Sequence, residues 1–391
     1  MMHPLIEALK QSAVPFVDLR RELHRKPELG LREVATAARI ATLLREWGYE
    51  VHEGIAGTGV VGQLRRGEQG PSLGLRADMD ALPIHEQGNK AWSSENPGVM
   101  HACGHDGHMA MLLAAAHYIA RNVRFSGTLN LIFQPAEEHP GGARLMLEDG
   151  LFDQFPCDAI FAMHNMPGVA LGNFIFRDGP MMASSDDVTI VLEGQGGHGA
   201  MPHRCTDSIV AAAAIILALQ TIVSRNVDPR LAAVVSVGAV QAGEANNVIP
   251  SHARLEVSVR ALDANTRDLL ERRIRELVQA QAASFGVHAR IDYRRDYPVL
   301  VNAKDATELA REVGRELVGC DRVVAQGEPL TGSEDFAFLL EQRPGCYLLI
   351  GNGDGDGICG LHDDQYDFHD DNVAQGAAYW VLLVKRFLGA L

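Results

Sequence analysis

TLNLIFQPAEE, residues 128–138, is the stretch from which the fold is read. It opens with an apolar run of strand length, meets Pro135, and continues directly into two carboxylates, Glu137 and Glu138. A continuous apolar strand belongs inside a sheet that is covered on both faces. SLGLRADM (72–79) and AIFAMH (159–164) read the same way, and the alanine- and leucine-rich stretch 106–121 reads as a helix between the first two strands. Buried strands alternating with helices predict an α/β architecture with a mostly parallel sheet.

Working outward, residues 4–25 and 33–47 carry apolar positions three and four apart, split by the breaker KPELG (26–30). Beyond Tyr297-Pro298, residues 304–318 read as a helix, GCYLLIGNG (345–353) as a buried strand and its loop, and 373–388 as a closing helix. The middle of the chain has a different rhythm. VTIVLEG (188–194) is a strand, 207–224 a helix capped by Thr206 or Asp207, AAVVSVGAV (232–240) and ARLEVSVRAL (253–262) two strands, 264–284 a charged amphipathic helix, and HARIDYRR (288–295) a last strand. Strand–helix–strand–strand–helix–strand is the ferredoxin-like order. The expected organisation is one α/β domain over 1–183 and 299–391, interrupted by an inserted α+β domain over 184–298.

Composition narrows the function classes. With 391 residues, 47% hydrophobic and 22% charged, the chain can bury a core in each of two domains. A net charge of −15 argues against nucleic acid and against an anionic membrane surface as partners. No signal peptide is expected, and the run LLAAAHYIA (112–120) is too short to span a bilayer. Six cysteines scattered singly do not form a disulfide framework, so a reduced cytoplasm is the expected location.

Residues of metal-ligand type gather where chemistry is expected. Asp78 and Asp80 close one strand, Cys103 and His105 precede the 106–121 helix, Glu137 and Glu138 follow a strand, His164 closes another, and His362 lies in the loop region after the last. In open α/β sheets, ligands bind outside the carboxyl ends of the strands. Any one of these residues has an ordinary structural reading; five segments converging on one edge ask for a metal. A cysteine, two to three histidines and a glutamate exceed what one open catalytic ion takes, so two ions sharing a bridging ligand fit better. One glutamate of the adjacent pair can ligate while the other serves as general base on metal-bound water. That is acyl-bond hydrolysis without a protein nucleophile.

RADMDALPI (76–84), MHACGHDGHMA (100–110), QPAEEHPGGA (134–143), MHNMP (163–167), GQGGHGAMPH (194–203), NNVIP (246–250), GSEDFA (332–337) and LHDDQYDFHDDN (361–372) together resemble metallopeptidase family 20 of the aminoacylase/carboxypeptidase superfamily, in its hippurate hydrolase and auxin-conjugate hydrolase branch. The resemblance runs nearly end to end and includes HRKPELGLRE (24–33). It implies a dinuclear-metal catalytic domain with an inserted lid and dimerisation domain. It implies Cys103 as bridging thiolate, His105, Glu138, His164 and His362 completing two metal shells, Glu137 as general base and then acid, and Asp80 as the carboxylate orienting the site. His198 would stabilise the oxyanion, reaching across a dimer, and Asn247 and Arg260 would hold the substrate and its carboxylate.

The implied reaction cleaves N-acyl-L-amino acids, small molecules of the hippurate or N-acetyl type, to a carboxylate and a free amino acid. The metal would be two ions of zinc, manganese, nickel or cobalt per chain, and the assembly a homodimer or higher homo-oligomer through the lid. A dipeptidase, a carbamoylase or an N-acetyl-diaminopimelate deacetylase would use the same scaffold, and a non-catalytic binder of an amino-acid conjugate or metal is the reading from another class. The branch pattern has Asn where this chain has His369, which makes His369 a rival to His362, while His101 and His108 flank the Cys103–His105 pair. GQGGHG (194–199) matches a dinucleotide fingerprint only formally, because Pro202 follows where a helix should open and no acidic residue stands about twenty positions on. GSEDF contains Ser333 but no nucleophile elbow.

Overall fold

The computed structural model describes residues 3–67, 69–88, 90–355 and 357–389. The chain divides into two compact units, one formed by Met1–Gly179, Val301–Glu328 and Asp335–Leu391, the other by Pro180–Leu300 and Pro329–Glu334. Pro329–Glu334 joins the second unit through backbone bonds: Ala183 N–H donates to the carbonyls of Leu330 (3.0 Å) and Gly332 (2.9 Å).

The larger unit is built on an eight-stranded sheet in the order Glu50–Ile55, Gly59–Arg66, Gly127–Gln134, Ser72–Asp78, Ala159–Met166, Gly345–Gly351, Phe174–Ile175 and Val323–Val324. Its four central strands are parallel, and the first two form an antiparallel hairpin along one edge. The four central strands are buried over almost their whole length, as continuous apolar runs require. The helices Pro4–Arg25, His105–Asn122 and Asp371–Phe387 pack against one another and share the core. His105–Asn122 is buried on nearly every side, which explains its near-continuous Met, Leu and Ala content. Its start is set by Gly104, at φ 89, where an L side chain would be strained. Two short helices, Gly142–Glu148 and Phe336–Gln342, follow the PAEE and GSEDF segments and have no counterpart in the sequence reading.

The smaller unit is a four-stranded antiparallel sheet in the order Ala233–Ala242, His252–Ala261, Ser184–Glu193, His288–Arg295. The helices Ser208–Asn226 and Ala264–Ser284 supply the rest of its core. That strand order is the ferredoxin-like one. Asp207 caps Ser208–Asn226, its carboxylate accepting from the N–H groups of Ile209 and Val210. This helix, not weighed beside 112–120 from the sequence, is also long and apolar enough to cross a membrane by length and composition. Its buried stripe of Ala211, Ile215, Leu219 and Ile222 packs into the unit's own core.

Candidate metal centre

The ends of the central strands and the loops after them bring the ligand-type residues of the larger unit together. The ligand atoms of Cys103, His105 and His164 lie within 4.8 Å of one another, as do those of Cys103, Glu138 and His362, and those of His105, Glu137 and Glu138. Cys103, His105 and Glu138 each belong to two of these groups, so the three groups form one continuous cluster. Its Sγ lies 3.3 Å from His164 Nε2.

Each side chain is aimed by its neighbours. His105 Nδ1–H donates to the Asp80 carbonyl at 2.8 Å, with the Asp80 carboxylate 3.3 Å from the same nitrogen, so Nε2 faces the site. The other Asp80 oxygen accepts from Glu138 N–H at 3.0 Å, so Asp80 orients two candidate ligand residues at once. His164 Nδ1–H donates to the Asn165 carbonyl at 2.6 Å, which turns its Nε2 toward Cys103. His362 Nε2 sits 3.2 Å from Glu138 Oε1, and its backbone N–H is held by the Ala102 carbonyl at 2.8 Å.

Two backbone outliers mark the site. His362 has φ 65 and Ala136, just before the glutamate pair, has φ 51. Such non-glycine conformations persist where the surroundings over-determine them, often at functional sites. Ala136 N–H is held by the buried Glu33 carboxylate at 2.9 Å, and the other Glu33 oxygen accepts from Thr58 Oγ1–H at 2.7 Å. Glu33 lies in HRKPELGLRE and was not singled out from the sequence; a buried carboxylate is invisible there until its partners are known.

The electrostatics fit a cation. Burial, followed by the Glu138, Glu137 and Asp78 carboxylates, pushes the Cys103 thiol well above its usual range. A bound metal reverses this by deprotonating a coordinating thiol. Burial lowers His105, but Asp78, Asp80 and Glu138 outweigh it and lift the imidazole to about 10. The field that holds a proton at His105 is the field that would hold a metal ion there, so proton and metal compete. His105 Nε2 and Glu138 Oε1 are both buried and make no hydrogen bond. Two orphaned polar atoms facing a thiol and two more imidazoles suit zinc or a neighbouring transition metal. The residues present therefore fit bound metal.

Of the rivals, His369 and His101 lie outside these ligand groups, whereas a ligand atom of His108 lies within 4.8 Å of those of Asp78 and His105. His369 is half exposed, with its nearest carboxylate, Asp371, 4.0 Å away. His101 is buried but belongs to none of the ligand groups. His108 donates through Nδ1 to Asp78 Oδ1 at 2.7 Å and accepts through Nε2 from Asn165 N–H at 3.0 Å.

The other three candidate residues lie in the smaller unit. His198 pairs with Val248 on a short two-stranded ladder, and Gly199 N–H donates to the Asn247 carbonyl at 2.8 Å, so His198 and Asn247 are neighbours. His198 is exposed, and its Nδ1 accepts from Ala200 N–H at 3.0 Å. In the neutral ring that leaves the proton on Nε2, a donor facing away from the backbone. Arg260 is half-buried, with Nη1 donating to Ser333 Oγ at 2.9 Å.

Residues 74–386 match the family model described as Peptidase family M20/M25/M40. The chain is 45% identical to a hippurate hydrolase of Campylobacter jejuni over 95% of its length and 96% of that protein's. It is 38% identical to an N-acetyl-L-cysteine deacetylase of Bacillus subtilis, over 95% of this chain and 88% of the relative. Among solved structures, a Bacillus subtilis protein described as a dinuclear metal binding peptidase superposes with a TM-score of 0.84 at 33% identity, covering 98% of this chain and all of that one.

Proposed function

The chain belongs to peptidase family M20/M25/M40 and is a metal-dependent amidohydrolase, and from that premise we propose that it hydrolyses N-acyl-L-amino acids to a carboxylate and a free amino acid. The observation that carries this reading is a buried carboxylate, Glu137, whose ligand-type atom lies within 4.8 Å of those of His105 and Glu138, beside a thiol and imidazoles suited to metal. Cys103, His105, Glu138, His164 and His362 would hold two divalent ions. The ions supply Lewis acidity toward the acyl carbonyl and acidify water at neutral pH.

The chain's own residues do the rest. Glu137 takes a proton from the attacking water as its oxygen bonds to the acyl carbon, then returns that proton to the amine nitrogen as the C–N bond breaks. Water is consumed, and the acyl carboxylate and the amino acid leave. His198, through Nε2–H, would stabilise the developing oxyanion. Asn247 and Arg260 would hold the substrate, the guanidinium matching the free carboxylate as a bidentate partner. Support for acyl rather than peptide substrates comes from the hippurate hydrolase and N-acetyl-L-cysteine deacetylase likenesses. The six cysteines are all unpaired, which supports a cytoplasmic location.

The test combines one substitution with a substrate panel. Glu137→Gln should keep the parent's metal content and lower turnover by about a hundred- to ten-thousand-fold. The parent, stripped and reloaded separately with zinc, manganese, nickel or cobalt, should release amino acid from hippurate and N-acetyl amino acids in preference to a dipeptide. Glu137→Gln with near-parental turnover would remove the proposed base, and release only from the dipeptide would replace the substrate class.

A further inference from the structure

Behind the ligand residues lies a fully buried hydrogen-bond network that the reaction scheme does not use. Asn165 is its centre. Its backbone N–H donates to His108 Nε2 at 3.0 Å, and its carbonyl accepts from His164 Nδ1–H at 2.6 Å. Its amide Nδ2–H donates to the Cys103 carbonyl at 2.7 Å, and its Oδ1 accepts from the Tyr366 hydroxyl at 2.6 Å. His108 is anchored in turn by Asp78, whose second oxygen accepts from Arg76 at 2.7 Å.

This one residue ties together three segments far apart in sequence: the strand end with His164, the turn with Cys103, and the loop after His362. The packing leaves no slack. A Cβ at Gly104 would fall 2.4 Å from both Asn165 Nδ2 and the Tyr366 oxygen, so the turn must be bare there for the three groups to meet. With Nδ1 facing the Asp78 carboxylate, His108 presents Nε2 as the acceptor that Asn165 N–H requires.

We propose that Asn165 is a positioning residue that sets the spacing of Cys103 and His164 for metal, and that Tyr366 acts through it. Neither side chain belongs to the possible metal-ligand groups; both act on the aim of the residues that do. Partners of this kind typically change metal affinity about ten- to a hundredfold when removed.

The inference rests on the metal-dependent reading, and its test is binding rather than turnover. Metal-free parent, Tyr366→Phe, Asn165→Ala and the double variant are titrated with Co²⁺ against a competing chelator while the cobalt–thiolate absorption is followed. Tyr366→Phe and Asn165→Ala should each weaken cobalt binding about ten- to a hundredfold and shift the thiolate band. The double variant should bind no more weakly than Asn165→Ala, because the hydroxyl acts only through the amide. A merely structural role would lower the melting temperature and leave affinity and spectrum in place; that result in Tyr366→Phe overturns the inference, and Tyr366→Phe alone decides should Asn165→Ala not fold. A parent that binds no cobalt overturns the metal-dependent reading itself.

Discussion

His24 shows how one residue beside the site carries stability rather than chemistry. It is fully buried, and its Nδ1–H donates to Asp106 Oδ2 at 2.9 Å, where Arg20 also reaches at 3.3 Å. Burial would push the imidazolium down, but Asp106 outweighs it and Glu86 adds to the lift, raising the group to about 9. The folded pKa thus stands above the ordinary 6.5, so the charged form contributes stability that is complete below about pH 6.5 and lost as pH rises through about 9. Asp106 runs the other way. Burial alone would raise its carboxyl, but His24 and Arg20 hold it far below the ordinary range, so its contribution is lost only in strong acid. Urea unfolding at pH 6.5 and pH 9 should therefore show a loss in the parent to which His24 contributes about 3 kcal/mol. His24→Gln should show an alkaline loss smaller by about that amount while starting from lower stability. An equal loss in both proteins would show that other groups titrate there.

At the scale of elements, the helix His105–Asn122 couples the core to the site, because it starts at a candidate ligand and runs into the core. Gly107, in its first turn, makes room for the Phe368 ring, three of whose atoms would lie 2.3–2.5 Å from an added Cβ. A ring has no flexible end to yield, so either helix or loop must move. Gly107→Ala should cost about 1–3 kcal/mol of stability, the usual range for overpacking. Denaturant midpoints check this, and an unchanged midpoint would mean the 361–368 loop is soft. Elements of this kind were legible from sequence where burial is two-sided. SLGLRADM, TLNLIFQ and AIFAMH announce central strands because both faces are apolar. EVHEGI (50–55) does not, because it is an exposed edge strand of mixed polarity. The candidate ligand residues stood out for another reason: few residue types bind metal, and they cluster after strands. Glu33, Asn165 and Tyr366 were not, because ordinary polar residues acquire their role only when tertiary packing supplies a partner. His198, Asn247 and Arg260 were assigned through family resemblance, with no spacing rule to find them.

The whole molecule poses a question that neither unit answers alone, namely what covers the apolar outer surface of the smaller one. Its sheet ends at Ala233–Ala242, ten residues without a charge, paired among the described residues only with His252–Ala261. Long uncharged edges template further strand pairing and are normally blunted by lysine, proline or a bulge. Here one register shift between Val237 and Ala239 is the only such device. The helix Ser208–Asn226 of the same unit turns Ile209, Val210 and Leu217 outward, Leu217 at 72% exposure. We propose that a second copy of the chain covers this surface, since an edge strand and an apolar helix face can each meet their own equivalents across a twofold axis. Sedimentation at micromolar concentration should then give twice the 42.4 kDa chain mass. Leu217→Glu would place a charge at the centre of that contact, where desolvating it unpaired costs several kcal/mol. It should sediment as a monomer with unchanged circular dichroism, because Leu217 contributes nothing to the buried stripe of its own helix. A monomeric parent would remove the second copy as occupant, and a dimeric Leu217→Glu protein would move the interface to another face.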